Sequence, residues 1–165
     1  MEYPVSTKII GKKVALMADI HSNFHAFQAC YADAVTCGAD SFVFLGDYVS
    51  DLAQPRQTLD LLYRICNTYP TVCLSENRER YMLEHANGSS DFSRGSKSGS
   101  LLFTYEHLRQ KDLDFFRRLK ISDTIAFTAF RWKLPMPPWT TTAITLTTMT
   151  VMLQRFSKKC VVITC

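Results

Sequence analysis

The sequence predicts an α/β fold built on a parallel sheet, and two observations lead to this prediction. Short apolar runs at residues 13–19, 41–45 and 71–74 have the length and composition of buried strands. Segments with apolar residues at helical spacing lie between these runs, at residues 24–37 and 55–67. Strands that alternate with helices in this way pair in parallel through right-handed crossovers. The predicted order is therefore βαβαβ.

The residues at the segment ends support these helices and indicate further elements. Ser22 or Asn23 can cap the first helix, and Gly38 ends it. Pro55 suits the first turn of the second helix. Three more helices are predicted at residues 78–85, 101–108 and 111–119, with a polar loop at 87–100 and a fourth strand at 121–127.

Composition places the chain among globular proteins with one core. It has 165 residues, of which 47% are hydrophobic, so wholesale disorder, a collagen-like fibre and a disulfide scaffold are excluded. No apolar run approaches the ~20 residues of a membrane span. The N-terminus lacks the apolar run of a signal peptide, so a cytoplasmic location is expected. Six cysteines without a CxxC pair are expected to be small core residues.

The last part of the chain differs in composition from the rest. All 15 acidic residues lie within residues 1–123, whereas residues 124–165 carry five basic residues and no acidic ones. We therefore expect a domain portion at 1–125 and an atypical Thr-rich basic tail at 126–165. The codons for Trp139-Thr140 and Met149-Thr150 each contain an aspartate codon in a shifted frame, which favours a frameshifted tail. A genuine divergent tail is the alternative, and nucleic-acid binding is not favoured because its basic and aromatic residues are not interleaved.

Polar clusters follow each of the three predicted strands. In an open parallel sheet, the crevice at the carboxyl ends of the strands is where ligands bind. Carboxylate and imidazole ligands suit Mn²⁺, Fe or Zn²⁺. Asp47 can bridge two cations through its two oxygens, and Asn77 adds a neutral carbonyl oxygen. The sequence thus predicts a two-metal clamp for phosphoryl transfer with a bridging hydroxide as nucleophile. The clusters are Asp19-Ile20-His21, Gly46-Asp47 and Glu76-Asn77-Arg78-Glu79.

Each cluster also has a simpler interpretation. Asp and His are common near strand ends, and a Gly-Asp pair after a strand is often only a turn. Asn77 can act as a cap for the helix at 78–85, which is compatible with a metal role. The metal interpretation is favoured because three clusters occur in order, each directly after an apolar strand.

The segments at residues 19–23 (DIHSN), 46–51 (GDYVSD) and 76–81 (ENRERY) resemble the first three motifs of the calcineurin-like metallophosphoesterases. The small bacterial phosphodiesterase and phosphatase branch is the most similar, and the resemblance covers about residues 10–125. It implies a four-layer αββα sandwich, incomplete in this chain, around a dinuclear Mn, Fe, Zn or Ni site. It also implies that Asp19 and His21 ligate one metal, that Asp47 bridges both, and that Asn77 ligates the second.

Three departures from the family pattern affect the expected chemistry. Arg78 stands where many members have a histidine that protonates the leaving group, and arginine can bind phosphate but cannot release a proton near neutral pH. Glu76 replaces a glycine, and it either points to solvent, distorts the turn or adds a ligand. The family's three later histidines have no counterparts, since the chain holds only His21 and the surface residues predicted at His25, His85 and His107.

These observations lead to an expected function and an alternative. The expected function is hydrolysis of phosphomonoesters or phosphodiesters by a metal-bound hydroxide, with Mn²⁺ as the expected cation and Arg78 in contact with the phosphate. The partner is a small phosphoester, with neither membrane nor nucleic acid involved. Turnover is expected to be weak or absent, because the chain resembles a C-terminally truncated or frameshifted member. The alternative is a non-catalytic remnant or a metal- or phosphate-binding module, which would hold one cation or none.

Overall fold

The computed structural model describes residues 13–95 and 98–121 in full and three further strands by their backbone. The strands are β1 Lys13–Met17, β2 Ser41–Phe44, β3 Thr71–Cys73, β4 Asp123–Ile125, β5 Met149–Val151 and β6 Val161–Thr164. The helices are α1 Phe24–Thr36, α2 Pro55–Thr68, α3 Asn77–Ala86, α4 Gly99–His107 and α5 Gln110–Arg118.

The main sheet has the strand order β3-β2-β1-β6. Val14 pairs with Ser41 in the parallel β1–β2 ladder, and Val43 pairs with Val72 in the parallel β2–β3 ladder. These pairings confirm the predicted α/β class and the βαβαβ order. Strand β6 lies antiparallel to β1, and β4 pairs antiparallel with β5 in a second, two-stranded sheet.

The core contains buried residues of α1, α2 and β2. Strand β2 is buried at every position. The Phe42 and Phe44 rings stack at a centroid distance of 6.1 Å, and Phe27 of α1 meets Phe44 edge-on at 5.9 Å. From α2, the predicted apolar face is buried, with Leu59 and Leu62 fully inaccessible. This burial fixes β1 and β2 side by side, so the loops that follow them emerge together.

Helix ends follow the predicted signals with one correction. The Asn23 side chain caps α1 by accepting from the Ala26 N–H at 3.1 Å, and Pro55 begins α2. Asn77 was expected as a possible cap of the third helix. The structure instead makes Asn77 the first residue of α3 and Glu76 its cap, because the Glu76 carboxylate accepts from the Asn77 N–H. Asn77 therefore keeps its side chain available for another role.

Two predictions concern residues outside the core elements. The strand predicted at residues 121–127 is present as β4. The expectations for residues 126–165 lie outside the described residues, apart from the backbone of β5 and β6, so the division at residue 125 stays a prediction.

The thiols of Cys66 and Cys73 lie 3.7 Å apart in the core. No helix in the described part of the chain is long and apolar enough to cross a bilayer.

Candidate metal centre

Two loops at the carboxyl edge of the sheet carry three of the predicted site residues. Asp19 and His21 lie in the loop after β1, and Asp47 lies in the loop after β2. Since β1 and β2 are parallel neighbours, both loops leave the same edge of the sheet. The backbone N–H of His21 donates to the carbonyl of Asp47 at 2.9 Å, and that of Ser22 donates to the carbonyl of Tyr48 at 3.0 Å. The two loops are thereby held in a fixed register.

Both loops adopt backbone conformations that are costly for residues other than glycine. Such conformations cost about 1–3 kcal/mol each and are found mainly where surrounding structure enforces a functional geometry. Here the hydrogen bonds between the loops enforce them, together with the Ser50 N–H that donates to the Ser22 hydroxyl at 3.0 Å. The non-glycine residues with positive φ in these loops are Asp19, His21, Ser22, Asp47, Ser50 and Asp51.

The side chains of Asp19, His21 and Asp47 converge. One ligand atom from each lies within 4.8 Å of the others. The Nε2 atom of His21 is 3.6 Å from Asp19 Oδ1 and 3.7 Å from Asp47 Oδ2. Asp47 is only 8% exposed, whereas Asp19 faces solvent. The three residues expected to ligate the first cation and bridge to the second therefore lie together, and their role as ligands stays a prediction.

The fourth predicted ligand, Asn77, begins α3 beside this cluster. The adjacent backbone N–H of Arg78 donates to Asp47 Oδ1 at 3.2 Å, so the N-terminus of α3 abuts the Asp47 carboxylate. Among the described residues, the buried Asn77 Oδ1 has no hydrogen-bond partner. A buried carbonyl oxygen left unsatisfied costs about 1–3 kcal/mol, which a cation would offset. With carboxylate, imidazole and amide oxygen donors, the residues fit a hard divalent cation.

The pKa values of two buried carboxyl groups are raised. Burial raises the pKa of Asp47, and the Arg78 backbone N–H opposes this effect by stabilising the carboxylate. Burial also raises the pKa of Glu79 to about 7, although the backbone N–H groups that face it favour the charged form. Burial removes water from both carboxyl groups and so disfavours their charged forms.

Glu79 was named in the third polar cluster without a role, yet it ties the loop after β2 to the start of α3. Its carboxylate accepts from the backbone N–H groups of Asp47 at 3.1 Å, Tyr48 at 2.9 Å and Glu76 at 3.0 Å. The residue is fully buried. One sequence signal could have indicated the contact with Glu76, since a glutamate three residues after a helix cap forms a capping box. The contacts with Asp47 and Tyr48 have no such local signal.

Arg78 and Asp51 form an ion pair at the edge of the cluster. The Arg78 guanidinium donates to Asp51 Oδ2 at 3.0 Å. Its Nε atom is buried and has no hydrogen-bond partner within the described part of the chain. Asp51 lies in the segment that resembles the second motif, and no role was assigned to it from the sequence.

The glutamate that replaces the family's glycine fits against Gly46. A Cβ atom added at Gly46 would lie 2.6 Å from Glu76 Cβ and 2.7 Å from the Glu76 backbone nitrogen. The Glu76 carboxylate turns back to cap α3, so of the interpretations left open, neither solvent exposure nor a ligand role describes it. The close approach of the two backbones therefore depends on the missing side chain at Gly46.

Gly46→Ala should strongly destabilise the protein. Gly46 has φ +101, and the added methyl group would collide with backbone atoms that cannot easily move. Strain and overpacking together should reduce the free energy of unfolding by about 2–6 kcal/mol. Gly88→Ala is the matched control, since Gly88 has φ +72 and nothing within 4 Å of an added Cβ. Urea denaturation that shows equal losses in the two variants would contradict this account.

The remaining histidines do not join the cluster. His25 is exposed on α1, as expected. His85, expected at the surface, is half-buried, and its ring stacks on Phe92 at 4.3 Å and meets Tyr105 at 4.5 Å. His107 is also partly buried, and its Nδ1 lies 2.7 Å from the carbonyl of Phe103. In the described residues, only Asp19, His21 and Asp47 form a group of three or more His, Cys, Asp or Glu side chains able to hold a metal.

Comparisons with known proteins identify a family and similar folds. The family model described as "Calcineurin-like phosphoesterase" matches residues 12–133. A search of curated proteins found no match. Among solved structures, a metallophosphoesterase from Sphaerobacter thermophilus is 19% identical with a TM-score of 0.53, and the alignment covers 68% of this chain and 42% of that one.

Two other structures have a similar fold. A hypothetical protein from Pyrococcus horikoshii OT3 is 16% identical with a TM-score of 0.59, covering 70% of this chain and 50% of that one. A protein provisionally described as a diadenosine tetraphosphatase is 17% identical with a TM-score of 0.52, covering 73% and 49%. The chain thus spans half or less of the length of these three structures.

Proposed function

The chain belongs to the calcineurin-like phosphoesterase family, and from this premise we propose that it is a metal-dependent hydrolase of small phosphomonoesters or phosphodiesters. Asp19 and His21 would hold one divalent cation, Asp47 would bridge to a second, and Asn77 would ligate the second. Mn²⁺ is the proposed cation, because carboxylate and amide oxygens with one imidazole suit it.

The convergence of Asp19, His21 and Asp47 within 4.8 Å is the observation that carries this proposal. The positive φ angles of these residues support it, since such strain persists where the surrounding structure enforces a particular geometry. The buried Asn77 Oδ1 without a partner in the described residues gives independent support. When bound, divalent cations polarise phosphate oxygens and lower the pKa of water.

The chain's own residues position the ester. Arg78 is the second residue of α3, and its guanidinium would contact a phosphate oxygen. Its Nε atom, which has no hydrogen-bond partner among the described residues, supports this role. The N-terminus of α3 also favours a negative charge at this point. In the hydrolysis, a bond forms from water oxygen to phosphorus, and the ester P–O bond to the alcohol breaks. The attacking water gives up its proton to solvent and the departing alcohol takes one up from solvent, because Arg78 cannot supply it near neutral pH.

Hydrolysis of p-nitrophenyl phosphate and bis(p-nitrophenyl) phosphate with added Mn²⁺ tests the proposal. We expect slow release of p-nitrophenol that requires Mn²⁺ and stops when a chelator is added. Turnover is expected to be weak, because three ionisable side chains and one amide are the donors found in the described residues. Release that continues unchanged in the chelator, or no release from either ester, would contradict the proposed activity. Turnover comparable to that of a full-length family member would contradict only the expectation that turnover is weak.

A module that binds metal or phosphate without catalysis is the second candidate function. It is favoured by the absence of any further histidine from the cluster within the described residues. The number of tightly held cations per chain separates the two candidates. Two ions per chain would favour the hydrolase, whereas one or none would favour the binding module.

A further inference from the structure

Asp51 lies between two residues of the proposed site. Its Oδ2 atom is 3.3 Å from His21 Nδ1 and 3.0 Å from the Arg78 guanidinium. Its backbone has φ 64, in the left-handed region, and its side chain is 42% exposed. Asp51 therefore contacts both residues through one carboxylate oxygen while the rest of its side chain remains accessible.

The contact with His21 determines which nitrogen of its ring carries the proton and which has a free lone pair. The Nε2 atom of His21 faces the carboxylates of Asp19 and Asp47, and the Nδ1 atom faces Asp51. A carboxylate beside Nδ1 favours the tautomer that carries its proton there, and the Nε2 lone pair then points to the carboxylate pair. His21 Nδ1 is buried and lacks a full hydrogen bond in the described residues, so Asp51 is its electrostatic partner.

The contact between Asp51 and Arg78 fixes the position of the Arg78 guanidinium beside the same site. The Arg78 backbone N–H holds Asp47 at 3.2 Å, while its guanidinium is held by Asp51. Without Asp51, the guanidinium would lose this anchor and would be free to pair with the Asp47 or Asp19 carboxylates. A cation placed among those carboxylates would then compete with a positive charge.

We propose that Asp51 is a positioning residue: its carboxylate sets the His21 tautomer that frees Nε2 for a divalent cation and keeps the Arg78 guanidinium aside from the cation ligands. This inference rests on the proposed function, because it assumes a cation between Asp19, His21 and Asp47. It assigns a role to a motif residue that neither ligates the cation nor caps a helix.

The test compares Asp51→Ala and Asp51→Asn with the wild-type chain. The first readout is the His21 tautomer in the metal-free protein, from nitrogen-15 chemical shifts of the imidazole. The second is the Mn²⁺ dissociation constant from calorimetry. We expect an Nδ1–H tautomer in the wild type, and Mn²⁺ affinity in Asp51→Ala that is lower by about 10- to 100-fold. Asp51→Asn should keep the tautomer and most of the affinity, because its amide oxygen still accepts from Nδ1–H.

Asp33→Ala is the matched control, because Asp33 is an exposed aspartate on α1, and it should match the wild type in both readouts. A tautomer and a Mn²⁺ affinity that stay unchanged in Asp51→Ala would overturn the inference. If the wild type bound no Mn²⁺, the proposed function would fail, and the tautomer readout alone would decide whether Asp51 orients His21. Equal losses in Asp51→Asn and Asp51→Ala would also overturn the inference, since the accepting oxygen would then be irrelevant.

Discussion

Asp47→Ala should abolish Mn²⁺-dependent ester hydrolysis. Asp47 is the residue whose two oxygens face different neighbours: Oδ1 accepts from the Arg78 N–H at 3.2 Å, and Oδ2 lies 3.7 Å from His21 Nε2. Its removal takes a ligand from both proposed cations at once. Because loss of an outer partner alone costs about 10- to 100-fold, we expect loss of this shared ligand to exceed about 100-fold. Release of p-nitrophenol with added Mn²⁺ measures the effect.

Two further variants separate loss of the ligand from loss of the fold. Asp47 has φ 54, which aspartate and asparagine tolerate better than alanine does. Asp47→Asn therefore keeps the backbone but removes the charge, and it should also have very low turnover. Asp114→Ala removes an exposed carboxylate on α5 and should leave turnover unchanged. Turnover in Asp47→Asn above about half of the wild-type value, with the fold intact by circular dichroism, would contradict the bridging role.

Glu79→Ala should cause a large loss of stability and also weaken the site. The buried carboxylate accepts three backbone N–H groups, from Asp47, Tyr48 and Glu76. Each of these hydrogen bonds contributes about 0.5–1.5 kcal/mol when the carboxyl group is neutral and about 1.5–3 kcal/mol when it is ionised, and unsatisfied buried donors carry a further cost. We expect the free energy of unfolding to fall by at least about 3 kcal/mol, a large share of the 5–15 kcal/mol of a typical domain. Urea denaturation measures this loss.

Glu79→Gln and Glu84→Ala are the comparisons for this prediction. Glutamine keeps the shape and one accepting oxygen but turns an amide NH₂ toward at least one backbone N–H, so an intermediate loss is expected. Glu84 lies on the same helix with a side chain that is 42% exposed, and its replacement should change stability by less than about 0.5 kcal/mol. A Glu79→Ala variant as stable as Glu84→Ala would show that the Glu79 carboxylate does not stabilise the loop after β2 or the start of α3.

Sequence reasoning located the candidate site because of where its residues fall along the chain. Asp19, His21 and Asp47 follow parallel strands directly, and the carboxyl ends of such strands meet at one edge. Their convergence therefore depends on the strand order, which alternating apolar segments predict well. Sequence reasoning therefore found these three residues, because the strand order alone determines where they lie.

Residues that act through the direction of a side chain were missed. The Glu79 carboxylate accepts from the backbone of the loop after β2, and the Asp51 carboxylate lies between His21 and Arg78. Neither direction can be read from residue spacing. The cap of the third helix was assigned to Asn77 for the same reason, since both Glu76 and Asn77 precede the helix predicted at 78–85 and only the geometry shows that Glu76 accepts from the backbone.

Binding of Mn²⁺ to the metal-free chain tests the central claim most directly, namely that Asp19, His21 and Asp47 create one cation site. Equilibrium dialysis of the wild type and of Asp47→Ala gives both stoichiometry and affinity without any substrate. The account predicts at least one tightly held Mn²⁺ per wild-type chain and a loss of more than about 100-fold in affinity in the variant, because loss of an outer partner alone costs about 10- to 100-fold. Equal Mn²⁺ binding by the two proteins, or none by the wild type, would contradict it.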